Sequence, residues 1–93
     1  MESNMTNKEL NAVPALLVAL VNQYDRLDSD KRQSTLGITL CDQIRVAGAT
    51  AAFLGGFDAM EKLHNAAEEL VGGNNSVGYW LNYMWDGIGG WCA

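Results

Sequence analysis

The amino-acid sequence predicts an all-α protein, a small four-helix domain with an up-and-down, bundle-like arrangement. Apolar residues recur at intervals of three and four along most of the chain, which is the spacing of one helix face. Turn-forming residues collect between four such stretches. Apolar and polar residues nowhere alternate over the length of a strand. Short connections between four helices favour antiparallel neighbours within one domain that spans residues 1–93.

The first helix is predicted to begin at Thr6, because Thr6 and Glu9 have the spacing of a capping box. Residues 1–5 are polar and are expected to fray. Pro14 removes a backbone donor and predicts a kink or a restart. Beyond it, one helix face is apolar and is expected to point inward. It consists of Leu16, Leu17, Leu20, Val21 and Tyr24.

A long second helix is predicted from Asp30, after a charged turn that Asp28 or Ser29 can cap. Its apolar face is formed by Leu36, Leu40, Ile44, Ala47, Ala51 and Leu54. Small residues form another face and would let a second backbone approach closely, within the subunit or across a dimer axis. They are Gly37, Cys41, Gly48, Ala52 and Gly55. Gly55-Gly56 predicts a break, so the second and third helices are either separate or one kinked rod.

The third helix is expected to turn Met60, Leu63, Ala67, Leu70 and Val71 inward. The fourth begins at Ser76 and is apolar on nearly every side, which requires burial on more than one face or an interface. Residues 87–93 are too rich in glycine for a stable helix and predict an irregular tail. We expect Trp91 in this tail to dock into a groove of its own or a neighbouring subunit.

Composition narrows the possible functions. Eleven acidic and six basic residues give a net charge of −5, which disfavours nucleic-acid binding and favours a basic or neutral protein partner. The longest apolar run, residues 12–21, is too short to span a membrane. Two cysteines do not form a disulfide framework, and no signal peptide is recognisable. These features predict a cytoplasmic protein.

Three residues of the third helix have metal-ligating side chains on one side: Glu61, His64 and Glu68. The Glu-x-x-His spacing occurs in carboxylate-bridged iron sites of helix bundles. With one histidine in the chain, such a site would require two subunits to meet at His64. The competing interpretation is a solvated helix edge with ordinary side-chain pairs. Neither cysteine has an activating neighbour, so we predict no catalytic residue and no cofactor.

The pattern is typical of a non-enzymatic protein-interaction module, one that self-associates as a dimer or larger homo-oligomer and acts by binding another protein. An inhibitor or accessory factor from a phage or other mobile element fits this profile. The predicted interface residues are Tyr79, Trp80, Tyr83, Met84, Trp85 and Trp91, with Gly48 and Ala52. An alternative is a small-ligand-binding bundle with an aromatic pocket lined by Trp80, Tyr83, Met84 and Trp85. A second alternative is the metal-binding dimer built on Glu61 and His64.

Overall fold

The protein is all-α in a computed structural model that describes residues 12–72 and 76–92. Four helices and no strand occur in these two ranges: α1 is Ala12–Asp25, α2 is Ser29–Arg32, α3 is Thr35–Leu70 and α4 is Ser76–Trp85. The predicted capping box at Thr6 and the fraying of residues 1–5 lie outside the described residues. The helical class follows from the three- and four-residue spacing of the apolar side chains.

Helix α1 packs one face against the core and leaves another open. Leu17 and Val21 are fully buried, and Leu20 and Tyr24 are partly buried, as the spacing predicts. Leu16 was predicted to point inward with them, and this is wrong, because its side chain is exposed beside α3. The described part of the helix continues through Pro14, which is buried in its first turn.

The charged turn after α1 begins a helix where the sequence indicates, but that helix is short. Asp28 is the N-cap residue of α2, and its carboxylate accepts a hydrogen bond of 2.9 Å from the Lys31 amide. The unbroken helix predicted from Asp30 is wrong, since α2 ends at Arg32. The amides of Gln33 and Ser34 bond to carbonyls three residues earlier, which tightens the last turn and ends the helix. Helix α3 then starts at Thr35.

Helix α3 buries the middle of its predicted apolar face. Leu40 and Ile44 are buried and Ala47 and Ala51 are partly buried. Leu36 and Leu54 are exposed, so the prediction was wrong at both ends of this face, which no helix among the described residues covers. Leu70, near the end of α3, is likewise exposed although it was predicted to point inward.

The backbone of α3 leaves helical geometry at the glycine pair. Gly55 has φ −151° and ψ 16°, and Gly56 has φ 70° and ψ −161°. A side chain would strain the positive φ of Gly56, whereas glycine adopts it readily. We refer to residues 35–54 and 57–70 as the first and second halves of α3.

The core lies where both halves of α3, α1 and α4 meet. Trp85 is its largest fully buried side chain. Around it are buried Leu17, Val21, Ile44, Met60, Ala67, Val77, Leu81, Met84 and Trp91. Helix α4 therefore lies against several neighbours at once, as its nearly continuous apolar surface requires. One part of α4 remains outside this core.

Candidate protein-binding surface

Three aromatic side chains of α4 form a surface that we call the aromatic ridge: Tyr79, Trp80 and Tyr83. Tyr79 and Tyr83 are one helical turn apart and are 64% and 62% exposed. Trp80 lies between them, with its ring centroid 5.1 Å from that of Tyr79 and 6.0 Å from that of Tyr83, both in edge-on geometry. Such edge-on pairs stabilise one another beyond simple burial. In the ridge, Tyr79 and Tyr83 therefore face solvent beside Trp80, whose side chain is partly buried against the core.

Arg32, the last residue of α2, holds the Trp80 side chain of α4 in place. Its guanidinium carbon lies 4.7 Å from the Trp80 ring centroid and 5.4 Å from that of Tyr24. The same guanidinium donates hydrogen bonds to the backbone carbonyls of Tyr24 (3.3 Å) and Asp25 (2.8 Å). The Trp80 indole N–H donates to the Asp25 carboxylate at 2.7 Å. Cation–π contact and these hydrogen bonds hold the ring in one orientation.

A groove of about 400 Å³ runs beside the ridge. Its walls are Tyr24, Ser29, Arg32, Gln33, Tyr79, Trp80 and Tyr83. The structure thus brings together Trp80 and Tyr83, two of the four residues predicted for an aromatic pocket. Met84 and Trp85 are absent from this groove because both are buried in the core. Burial raises the pKa of the Tyr24 hydroxyl, nearby Cys41 adds to this rise, and Arg32 opposes it.

Trp85 was predicted as an interface residue, but it is a core residue of this chain. Its indole N–H donates a 2.9 Å hydrogen bond to the buried Ile44 carbonyl. The ring lies directly on Gly48, where a β-carbon would be only 2.5 Å from the indole nitrogen. The close approach expected at the small-residue face occurs here within the subunit. Gly48 therefore accommodates the chain's own tryptophan.

Trp91 docks on its own subunit through a turn after α4. Its ring centroid is 5.3 Å from that of Trp85 and 5.2 Å from that of Phe57, and its indole N–H donates to Asn82 at 3.2 Å. Gly89 has φ 57°, and a β-carbon there would lie 2.7 Å from that of Ala52. Ala52, also predicted as an interface residue, thus lies against the chain's own tail. Trp91 closes the core.

His64 is buried, with 8% of its surface exposed, so the interpretation of this side as a solvated edge was wrong for it. Its Nδ1 lies 3.3 Å from a Glu68 carboxylate oxygen, and its ring lies 5.2 Å from Trp91. Its Nε2 is buried without a hydrogen-bond partner among the described residues. Within residues 12–72 and 76–92, no three His, Cys, Asp or Glu side chains are grouped to hold a metal ion. Because Trp91 covers His64, two subunits could not join there without undocking the tail.

The two cysteines differ in environment. Both are free thiols, Cys41 partly buried and Cys92 exposed. Burial raises the pKa of the Cys41 thiol, Arg45 opposes this rise, and Asp42 adds to it. A raised pKa lowers the fraction of reactive thiolate at neutral pH. Cys41 is therefore not activated as a nucleophile.

A second surface feature was missed by the sequence reasoning. A groove of about 430 Å³ lies between α1 and α3 and is mainly apolar. It is lined by Leu16, Leu17, Leu20, Thr39, Asp42, Gln43, Val46 and Ala47. In the sequence, the scarcity of charged residues over 12–24 and 35–57 is the feature that could have indicated this surface. We call this feature the α1–α3 groove.

Comparisons with known proteins return no relative. No protein-family model, curated protein or solved structure matches the chain. Across the part of the chain that the structure describes, no helix combines the length and apolarity needed to cross a bilayer.

Proposed function

We propose that this chain is a non-enzymatic protein-interaction module that self-associates and binds another protein through the aromatic ridge. The observation that supports this most is the exposure of Tyr79 and Tyr83 beside a tryptophan that is already fixed in place. Tyrosine and tryptophan are typical anchors of protein interfaces. A fixed ring loses little conformational freedom when a partner covers it, which favours binding.

The charge of the chain supports a basic partner. Its net charge is −5, although the turn that carries Arg32 is itself neutral, because Arg26, Lys31 and Arg32 balance Asp25, Asp28 and Asp30. The second half of α3 adds Asp58, Glu61, Glu68 and Glu69 against a single lysine, Lys62. Complementary charge speeds association and selects among partners. We propose the role of an inhibitor or accessory factor from a phage or other mobile element, which covers a basic nucleic-acid-binding site of its target.

The proposed scaffold is an up-and-down bundle of four helical segments: α1, the two halves of α3, and α4. In this interpretation α2 is an extra turn that delivers Arg32 to the ridge. We further propose that the protein acts in the cytoplasm, an assignment supported by its two free thiols.

The groove beside the ridge supports a second candidate, a small-ligand-binding bundle. Its walls combine three tyrosines and a tryptophan with a few polar groups, which is a common composition for ligand sites. Ligand binding there would quench Trp80 fluorescence. A change in emission with one member of a metabolite panel would favour this candidate, and an unchanged emission across the panel would count against it.

Affinity capture with ridge variants tests the first proposal. The immobilised wild type is compared with Tyr79→Ala/Tyr83→Ala and with a matched control, Val13→Ala/Leu70→Ala, in which exposed apolar side chains elsewhere are truncated. All four positions are exposed, so each variant should keep its helical circular dichroism. We expect one protein to be retained by the wild type and the control, and the ridge variant to bind it about 100-fold more weakly or worse. Equal retention by the ridge variant contradicts the proposal, as does retention of nothing by the wild type.

A further inference from the structure

The surface shared by α1 and the first half of α3 carries almost no charge. Residues 12–24 contain no charged side chain, and residues 35–57 contain one acid, Asp42, and one base, Arg45. The net charge of −5 therefore arises elsewhere in the chain. Two copies of an acidic protein repel each other, so a neutral surface is where they can approach most easily.

This neutral surface is also unusually apolar. On α3, Val46 is 61% exposed and Phe53 is 88% exposed, and on α1 Leu16 is 60% exposed. Asp42, Val46, Ala49 and Phe53 are all exposed and are spaced by four, three and four residues. That spacing places them in one line along the outer side of α3, as in the contact seam between paired helices.

Val46 lies between two grooves. On one side is the α1–α3 groove, and on the other is a groove of about 380 Å³ lined by Asp42, Arg45, Val46, Ala49 and Ile88. A row of exposed side chains flanked by grooves is complementary to a copy of itself, because the row on each molecule can enter a groove of the other. A two-fold axis produces this reciprocal contact.

The available area is sufficient for a dimer. The first half of α3 has 20 residues and α1 has 14. Two packed helices of these lengths present a face on the order of 20 Å by 25 Å, and its corrugation raises the accessible area further. A stable interface needs at least about 600 Å² from each partner. The surface therefore reaches the lower end of stable dimer interfaces if most of it is covered.

We infer that a second copy of this chain docks on this surface, which we call the neutral face: Leu16, Leu20, Asp42, Val46, Ala49 and Phe53. The two α3 helices run antiparallel, and the two-fold axis passes near Val46. Each copy contributes Asp42 to the face and Arg45 to the groove at its edge, where the guanidinium donates to the Met84 carbonyl of its own chain, so the charges at and beside the interface sum to zero. This inference rests on the proposed function in one respect: it assigns a surface to the self-association proposed there. The aromatic ridge stays available for the other partner.

Complementary charge variants test the inference. Val46→Glu and Val46→Lys each place a charge at the axis, and Val46 is exposed, so the fold should be retained in both, as checked by circular dichroism. Sedimentation equilibrium should give the wild type a mass twice that of the 10.1 kDa chain. Each variant should weaken dimerisation about 100-fold or more, because an unpaired charge is buried. A mixture of the two should recover the dimer, because opposite charges then meet at the axis. The matched control Leu70→Lys, an exposed leucine outside the neutral face, should dimerise as the wild type does.

Three results would overturn the inference: a wild type that is monomeric at every soluble concentration, a Val46→Glu variant that associates normally, or a mixture that stays monomeric. Partner capture separates this failure from failure of the proposed function. Monomeric Val46→Glu should still retain the partner, whereas Tyr79→Ala/Tyr83→Ala should lose the partner and remain dimeric. If the wild type is monomeric and Val46→Glu no longer retains the partner, then the neutral face binds that partner. This result would overturn the inference that a second copy occupies the face.

Discussion

Replacing Gly48 by alanine should destabilise the protein, although alanine is the better helix former. In a helix interior the substitution alone would stabilise by about 1 kcal/mol. At this position the new β-carbon would lie 2.5 Å from the Trp85 indole nitrogen and 2.7 Å from two further ring carbons. Overfilling a packed core in this way costs about 1–3 kcal/mol. Displacing the indole also breaks its hydrogen bond to the Ile44 carbonyl, which leaves buried groups unpaired at a cost of about 1–3 kcal/mol.

The expected net loss is about 2 kcal/mol or more, which lowers the melting temperature by about 10 °C in a domain of this size. Urea unfolding at one fixed protein concentration, followed by circular dichroism, measures it. The matched control is Asn65→Ala, an exposed position of α3 at which added helix propensity should stabilise by about 0.5 kcal/mol. A Gly48→Ala protein as stable as the wild type would show that Trp85 does not pack on this glycine as described.

Three further changes test other parts of the structure. Arg32→Lys keeps the charge but loses the planar donor geometry, so it should destabilise by about 1 kcal/mol and shift the indole N–H resonance of Trp80. Gly89→Ala should undock the tail and cost about 2 kcal/mol or more in urea unfolding, because its β-carbon meets other side chains. Its matched control is Gly90→Ala, which also has positive φ but whose β-carbon would have no described atom within 4 Å, so this change should cost about 1 kcal/mol. Burial raises the pKa of the Cys41 thiol above its ordinary value of 9. The stability that the buried neutral thiol contributes is therefore present below pH 9 and is lost as the pH rises through the raised pKa. Cys41→Ala should flatten this alkaline decline in the free energy of unfolding.

Helical periodicity predicted the all-α class and most of the inner residues of α1 and α3, because a three- and four-residue spacing defines a face whatever it packs against. It could not predict which parts of a face are covered. Leu36 and Leu54 continue the stripe of Leu40 and Ile44 yet are exposed, since none of the helices in residues 12–72 and 76–92 covers the two ends. The pattern fixes orientation around a helix axis, while coverage depends on the length and position of the neighbours.

Only part of the candidate site was predicted, for a similar reason. A cluster of aromatic residues after Ser76 identified α4 as the important segment, but one helix supplies both core and surface rings. Trp85 and Trp80 are five residues apart in sequence, yet Trp85 is fully buried whereas Trp80 is partly buried and donates to the exposed Asp25 carboxylate. The contact between Arg32 and Trp80 joins residues that are distant in sequence, so no local pattern shows it. The burial of His64 likewise depends on where the tail places Trp91.

Site-specific photo-crosslinking from the aromatic ridge tests the central claim most directly. A benzophenone amino acid replaces Tyr83 in one variant and, as the matched control, Leu70 in another, and both positions are exposed on different helices. Each variant is irradiated in a lysate of the source organism, and crosslinked products are identified by mass spectrometry. We expect a crosslink from position 83 to one protein with a basic surface, absent from position 70 and suppressed by excess wild type. Equal crosslinking from both positions, or none from position 83, would contradict it.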